Sequence, residues 1–411
     1  MPGDKSISHR YVLLGALAEG TTSIAGLAPG ADVASSVACM HAMGAAITRT
    51  GRGALQIHGR GRHRLTPADG DLDCGNSGTT LRLLAGIVAS HPFRSRLVGD
   101  ASLSRRPMRR VIDPLTSMGA TITAQDGRAP LEIIGADLRA IDWTPPVASA
   151  QIKSAILLAG LAARGTTIVR EPLPTRDHTE RAFDLFGIRH DSRAGYAAVT
   201  GGQCPVAPAG VLQVPGDPSS AAVWAAIAAS RPGWSVEIQG VCLNPLRLGF
   251  VQALSRMGAD VRITESAKAG GESVGLVRVA FGTPQTATIG PEMVPSLIDE
   301  LPVLAASAAL GGGLRVSGAA ELRVKESDRI ASLALGFRQL GVRMTEHPDG
   351  FVIEGGQRPS GGQVDAHLDH RLVMAFTVLA LSASGPTLIT GADAVAVSYP
   401  GFHADLLRLC Q

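Results

Sequence analysis

Cations and small hydroxyl residues recur where apolar stretches begin. Lys5, Ser6 and Arg10 lie at one such start. Asn76, Ser77, Thr79, Thr80 and Arg82 lie at a second, and Ser149, Gln151 and Lys153 at a third. A helix N-terminus exposes unpaired N–H groups and the positive end of its dipole, so starts of this composition read as anion sites. Loops add Arg105, Arg106 and Arg176, and later segments add Lys325, Arg329 and Arg371. Brought together in a chain whose net charge is only +3, they would form a local and strongly positive pocket. Such a pocket suits a small ligand with several negative charges, for instance phosphates plus carboxylates. Any one of these cations also reads as a solvated surface residue, and it is their recurrence at equivalent places that argues for a site.

Two acidic positions stand among these cations. Asp299 and Glu300 interrupt the apolar run 297–310, and Glu326 lies within RVKESDR at 323–329. A carboxylate at the edge of an apolar helix and near cations is placed for proton transfer. The same position also suits a helix cap. His9, His178 and His370 sit among the cations, where ligand contact and structural hydrogen bonding are equal readings. His367 and His370 have HxxH spacing without a third candidate ligand nearby, so no metal is expected. There is no GxGxxG after a strand and no GxxxxGK[ST], which argues against dinucleotide and P-loop chemistry.

The elements that must position these residues repeat along the chain. Ala-rich helical stretches occupy 6–19, 77–90, 149–163, 219–230, 296–310 and 369–382, each opened by Ser or Asp as an expected N-cap. After each comes a short β-like run, a loop and an amphipathic helix. Gly44, Gly119, Gly187, Gly258 and Gly341 follow the second helices as C-terminal caps, at intervals of roughly seventy residues. Six mixed αβ units therefore fill the chain. VPGDPSSA at 214–221 echoes MPGDKSIS at 1–8, which suggests two lobes of three units. The expected lobes are 5–216 and 217–411 with 1–4, with the site in the cleft between them.

Composition limits the remaining classes. The 411 residues are 45% hydrophobic and 18% charged, enough for large cores built from small side chains, since aromatics are only 4%. The charge is spread along the chain, so neither a nucleic-acid partner nor a membrane surface is expected. The longest apolar stretch, 372–383, is too short to span a bilayer, and the N-terminus does not read as a signal peptide. Five scattered cysteines without a CxxC pair suggest a reducing, cytoplasmic setting and no disulfide framework.

Seven separated segments resemble 5-enolpyruvylshikimate-3-phosphate synthases in order and over nearly the whole chain. They are PGDKSISHR at 2–10, GNSGTTLR at 75–82, RPM at 106–108, SAQIK at 149–153, RDHTE at 176–180, KESDR at 325–329 and DHR at 369–371. The resemblance implies an α/β fold, a two-lobed inside-out barrel-like structure of six βαβαββ repeats that closes on its ligands. It implies transfer of the enolpyruvyl group of phosphoenolpyruvate to the 5-hydroxyl of shikimate 3-phosphate, with release of phosphate and without a metal or cofactor. By motif position, Lys5, Ser6, Arg10, Ser149, Ala150, Gln151, Arg176, Asp299 and Lys325 would hold shikimate 3-phosphate. Lys5, Gly78, Thr79, Arg106, Gln151, Glu326, Arg329 and Arg371 would surround phosphoenolpyruvate. Asp299, Glu326 and Lys5 would be catalytic. Glyphosate is the implied inhibitor and a monomer the implied state.

The chain departs from the pattern in places. Relatives usually carry a short strand-forming segment ahead of PGDKS, many have a second serine where Ala150 stands, and some place a lysine before a Phe-Pro pair where this chain has Val397-Ser398-Tyr399-Pro400. The related transferase acting on UDP-N-acetylglucosamine uses a loop cysteine ahead of its Arg-Pro pair, and DASLSRRP at 100–107 has none. That enzyme and a non-catalytic anion binder on the same scaffold are the alternatives.

Overall fold

The structure, a computed structural model, describes residues 1–409. Helices with apolar side chains on every face cannot remain at a surface. The Pro218–Ala229 and Leu301–Leu310 helices are of this kind, and nearly every residue in them is buried. The second helices differ. Arg109–Met118, His178–Leu185 and Gly249–Arg256 each bury one face and leave charged residues outside.

Six repeats run through the chain. In the second, a short strand (Leu72–Asp73) leads into the apolar helix Gly78–Val88 and then the parallel strand Arg94–Val98. The helix Arg109–Met118 follows, and the hairpin Thr121–Gln125 with Arg128–Ile134 closes the sheet antiparallel to that strand. The third and fifth repeats have the same order. The first differs in origin: its leading strand, Val211–Gln213, comes from much later in the chain and pairs parallel with Glu19–Ala25. The fourth sheet has three strands, with only a bridge between Gly216 and Val241 in the leading position. The sixth has two strands and is followed by the Phe402–Leu409 helix.

By its internal contacts the chain divides into two compact units. The first comprises Gly3–Val214 with the hairpin tip Ala269–Glu272, and the second comprises Met1–Pro2, Pro215–Lys268 and the chain from Ser273 on. In the first, the Gly78–Val88 helix lies against Lys5–Leu17 and Ala150–Gly160. A Cβ on Gly86 would sit 2.2 Å from the Ala155 carbonyl oxygen, so only glycine allows this approach. In the second, Leu301–Leu310 packs on Pro218–Ala229 and His370–Ala380.

The expected caps hold at three helices. Ser77, Ser149 and Asp369 each accept a backbone N–H in the first turn. Elsewhere the cap lies ahead of the expected serine. Asp4, not Ser6, caps the first helix, and Asp217, not Ser219, caps the fourth. Ser296 caps nothing: it lies inside the short Val294–Leu297 helix and donates to the Met293 carbonyl. The five glycines after the second helices all have positive φ, which a C-terminal cap requires. Among the described residues Cys39, Cys74, Cys204 and Cys242 form no disulfide, and Cys410 lies outside the described residues. Among the described residues no helix is long and apolar enough to cross a membrane.

Candidate active site

In the first unit the starts of four helices converge. Lys5 opens its helix and its Nζ lies 2.9 Å from Asp32 Oδ2, in the first turn of Ala31–Ala42. Both side chains are largely covered, at 19% and 9% exposure, so the attraction is screened less than at a free surface. The Thr80 hydroxyl oxygen lies 3.2 Å from the Asp32 carbonyl and 2.8 Å from Ser77 Oγ, the cap of the third start. Gln151 bridges to the fourth: its Nε2 donates to Thr79 Oγ1 at 2.8 Å and its Oε1 accepts from Arg82 at 2.6 Å. Arg106 is buried and donates to Asn76 Oδ1 at 2.6 Å. A Cβ placed on Gly78 would lie 2.8 Å from Arg82 Nη1 and 3.3 Å from Arg106 Nη1, so two guanidiniums lie over that bare backbone.

Beside this lies a buried polar network. Arg10 donates from Nε to Thr179 Oγ1 at 2.7 Å, from Nη1 to the Ser6 carbonyl at 2.8 Å, and from Nη2 to Ser154 Oγ at 2.6 Å. His9 is fully covered, with Nδ1 2.8 Å from Ser36 Oγ. Burial, then the nearby charges of Lys5 and Arg10, hold its pKa well below the ordinary value, so the ring is neutral at pH 7.

The second unit repeats the design with more acids. Asp299 Oδ1 lies 3.4 Å from Lys325 Nζ and 3.5 Å from Arg329 Nη1. Arg329 is fully buried and also bonds Glu326 Oε2 at 2.6 Å and Asp369 Oδ2 at 2.8 Å. Burial alone would weaken its charge; Asp369, Glu326 and Asp299 outweigh that and raise its pKa. Asp369 also accepts the Arg371 amide at 2.9 Å, and Arg371 Nη1 reaches the Ser219 carbonyl at 3.5 Å. The Ser219 hydroxyl donates to Glu300, and Arg247 joins Ser219 and Asp217 at 3.0 and 3.1 Å. Glu300 therefore faces the core and its serine contact while its neighbour Asp299 faces the cations.

Ten of the site residues named from sequence thus fall into two clusters, one in each unit. Lys5, Gly78, Thr79, Arg106 and Gln151 lie in one, with Ser149 capping a helix whose first turn is part of it. Asp299, Lys325, Glu326, Arg329 and Arg371 lie in the other. Lys153 is a correction: it points not into an anion pocket but onto Glu171 and Glu180, at 3.0 and 2.7 Å, and is 2% exposed. Sequence reasoning missed Asp32 and Arg247, whose only sequence signal is a charge near the start of a half-buried helix. One further group, Asp177, His178 and Glu272, has metal-ligand spacing among the described residues. Arg181 already occupies it, with Nε 2.9 Å from Asp177 and 3.4 Å from Glu272.

Residues 1–406 match the family described as EPSP synthase (3-phosphoshikimate 1-carboxyvinyltransferase). A protein of Acidithiobacillus ferrooxidans named 3-phosphoshikimate 1-carboxyvinyltransferase is 50% identical over 405 residues, 98% of this chain and 93% of that protein. One of the same name from Halorhodospira halophila is 49% identical over 412 residues, covering 100% of this chain and 92% of its own. The solved structure of an EPSP synthase from Acinetobacter baumannii aligns with a TM-score of 0.86 at 42% identity, over 99% of this chain and 94% of that one. With sequence and fold matched over the whole length, the chain belongs to the EPSP synthase family.

Proposed function

We propose that the two clusters carry the family's reaction with the residue roles given below. The chain is a transferase that moves the enolpyruvyl group of phosphoenolpyruvate to the 5-hydroxyl of shikimate 3-phosphate, a step of the shikimate pathway to aromatic amino acids. The observation that supports the assignment of roles is the meeting of motif residues at helix starts, where N–H dipoles and cations favour phosphate and carboxylate.

Lys5, Ser6, Arg10, Ser149, Ala150, Gln151, Arg176, Asp299 and Lys325 are the proposed contacts of shikimate 3-phosphate. Arg10 serves from a buried position, and Ala150 provides backbone without a hydroxyl. Lys5, Gly78, Thr79, Arg106, Gln151, Glu326, Arg329 and Arg371 are the proposed contacts of phosphoenolpyruvate. Asp299 accepts the proton of the 5-hydroxyl as its oxygen bonds to C2 of phosphoenolpyruvate, while C3 takes a proton from Glu326 or Lys5. In the second half the C2–O bond to phosphate breaks, phosphate leaves with that electron pair, and C3 gives its proton back. The fixed cations stabilise the charge on the departing phosphate, so the reading invokes no cofactor. Glyphosate is proposed to compete with phosphoenolpyruvate beside Gly78. A monomer in the cytoplasm is the proposed working state.

Phosphate release with phosphoenolpyruvate and either shikimate 3-phosphate or UDP-N-acetylglucosamine tests the reading. Turnover is expected with the first acceptor alone. Turnover with the nucleotide sugar, or with neither, overturns it.

A further inference from the structure

Lys153 has a task outside direct contact with substrate. Its Nζ lies 3.0 Å from Glu171 Oε2, 2.7 Å from Glu180 Oε1 and 3.4 Å from the Thr175 carbonyl. All three charged side chains are at most 5% exposed. Glu171 is tied back to Thr175 as well. The Thr175 hydroxyl donates to Oε1 and its amide to Oε2, at 3.4 Å for the latter. The 171–175 turn is thus closed on itself and fastened to the Ala150–Gly160 helix, and Arg176 is the next residue. Glu180 lies in the first turn of His178–Leu185, so one ammonium holds the chain on both sides of Arg176. Arg10 extends the network through Thr179 and Ser154, whose hydroxyls are 2.6 Å apart. Burial would weaken the charge of Lys153, and Glu180 and Glu171 outweigh it and raise the pKa, so the lysine remains an ammonium.

We propose that Lys153 is a positioning residue: by holding residues 171–175 and Glu180 it fixes the backbone around Arg176, so that this guanidinium meets shikimate 3-phosphate already ordered. The proposal rests on the reading of Arg176 given above. An ion cluster that only stabilised the fold would leave substrate affinity unchanged once the protein had folded.

Steady-state rates of the full chain, with each substrate varied in turn, separate the two. Arg176→Ala sets the scale, with an expected rise of about tenfold or more in KM for shikimate 3-phosphate and little change for phosphoenolpyruvate. Lys153→Met is expected to raise the same KM selectively, Lys153→Arg to recover most of the loss, and Thr175→Val to give a rise of about threefold. Equal changes in both KM values, or a lower Tm with both unchanged, overturn the positioning role. Should Lys153→Met fail to fold, Thr175→Val keeps every charge and decides: an unchanged KM for shikimate 3-phosphate overturns the proposal. If Arg176→Ala itself has no effect, the reading of Arg176 falls and the proposal falls with it. If only Arg176→Ala has an effect, positioning by Lys153 alone is rejected.

Discussion

Glu326 Oε2 accepts a hydrogen bond from Arg329 Nη2 at 2.6 Å, three residues along the chain. The carboxylate is 16% exposed, while the guanidinium that holds it is 2% exposed. One partner thus keeps an edge open to solvent while the other is locked in the core.

Glu326→Gln is expected to fold and to lose turnover by about 100-fold or more, the usual worth of a placed proton-transfer group. Phosphate release and thermal unfolding measured together check it. A variant with near-normal kcat removes Glu326 from the proton path.

Arg329→Met acts on stability first. Arg329 is the shared partner of Asp369, Glu326 and Asp299, and its loss strands the buried carboxylate of Asp369. The expected destabilisation is about 3–5 kcal/mol. Urea unfolding checks it, and a change below 1 kcal/mol would mean the carboxylates relax to water.

Gly78→Ala places a methyl 2.8 Å from the end of Arg82 and 3.3 Å from that of Arg106. Flexible side-chain ends give way, so stability should change by no more than about 0.5 kcal/mol. The displaced cations should raise KM for phosphoenolpyruvate and weaken inhibition by glyphosate. Inhibition curves at several phosphoenolpyruvate concentrations read both effects. Unchanged curves would place the inhibitor elsewhere.

His9 predicts the acid limb of stability. Burial, and then the charges of Lys5 and Arg10, disfavours its protonation, and Ser36 Oγ lies 2.8 Å from Nδ1. In the unfolded chain the ring titrates near 6.5, and in the folded protein well below that. Below about pH 6.5 the unfolded state therefore binds a proton that the folded state does not, and stability falls with pH; above it the contribution is constant. His9→Asn should flatten this fall by up to about 1.4 kcal/mol per pH unit, read from unfolding at pH 7 and pH 5. Parallel curves for the two proteins would refute it.

The gathering of the candidate residues was legible in the sequence where polar residues are concentrated in short motifs, as at Lys5, Gly78, Arg106 and Glu326. It was not readable where a partner lies far away without a motif, as with Asp32 for Lys5. Lys153 shows a second limit. Gln151 and Lys153 share a motif, yet two residues along a helix turn a side chain through about 200°, so one bridges Thr79 while the other enters the core. Among the fold elements, the repeat and its glycine caps were legible because positive φ favours glycine. The exchange of Ser219 for Asp217 as a cap was not, because both residue types cap well.

The pairing of Ser23 with Val211 has a consequence for biosynthesis. A nascent chain completes its second and third sheets from neighbouring sequence, but the edge of Glu19–Ala25 stays open until Val211–Gln213 has left the ribosome. That late, non-local closure is slow by its nature and leaves a strand edge available for wrong partners meanwhile. A fragment stopped just short of Val211 should aggregate, whereas one that runs through Val214 has the means to seal its first sheet.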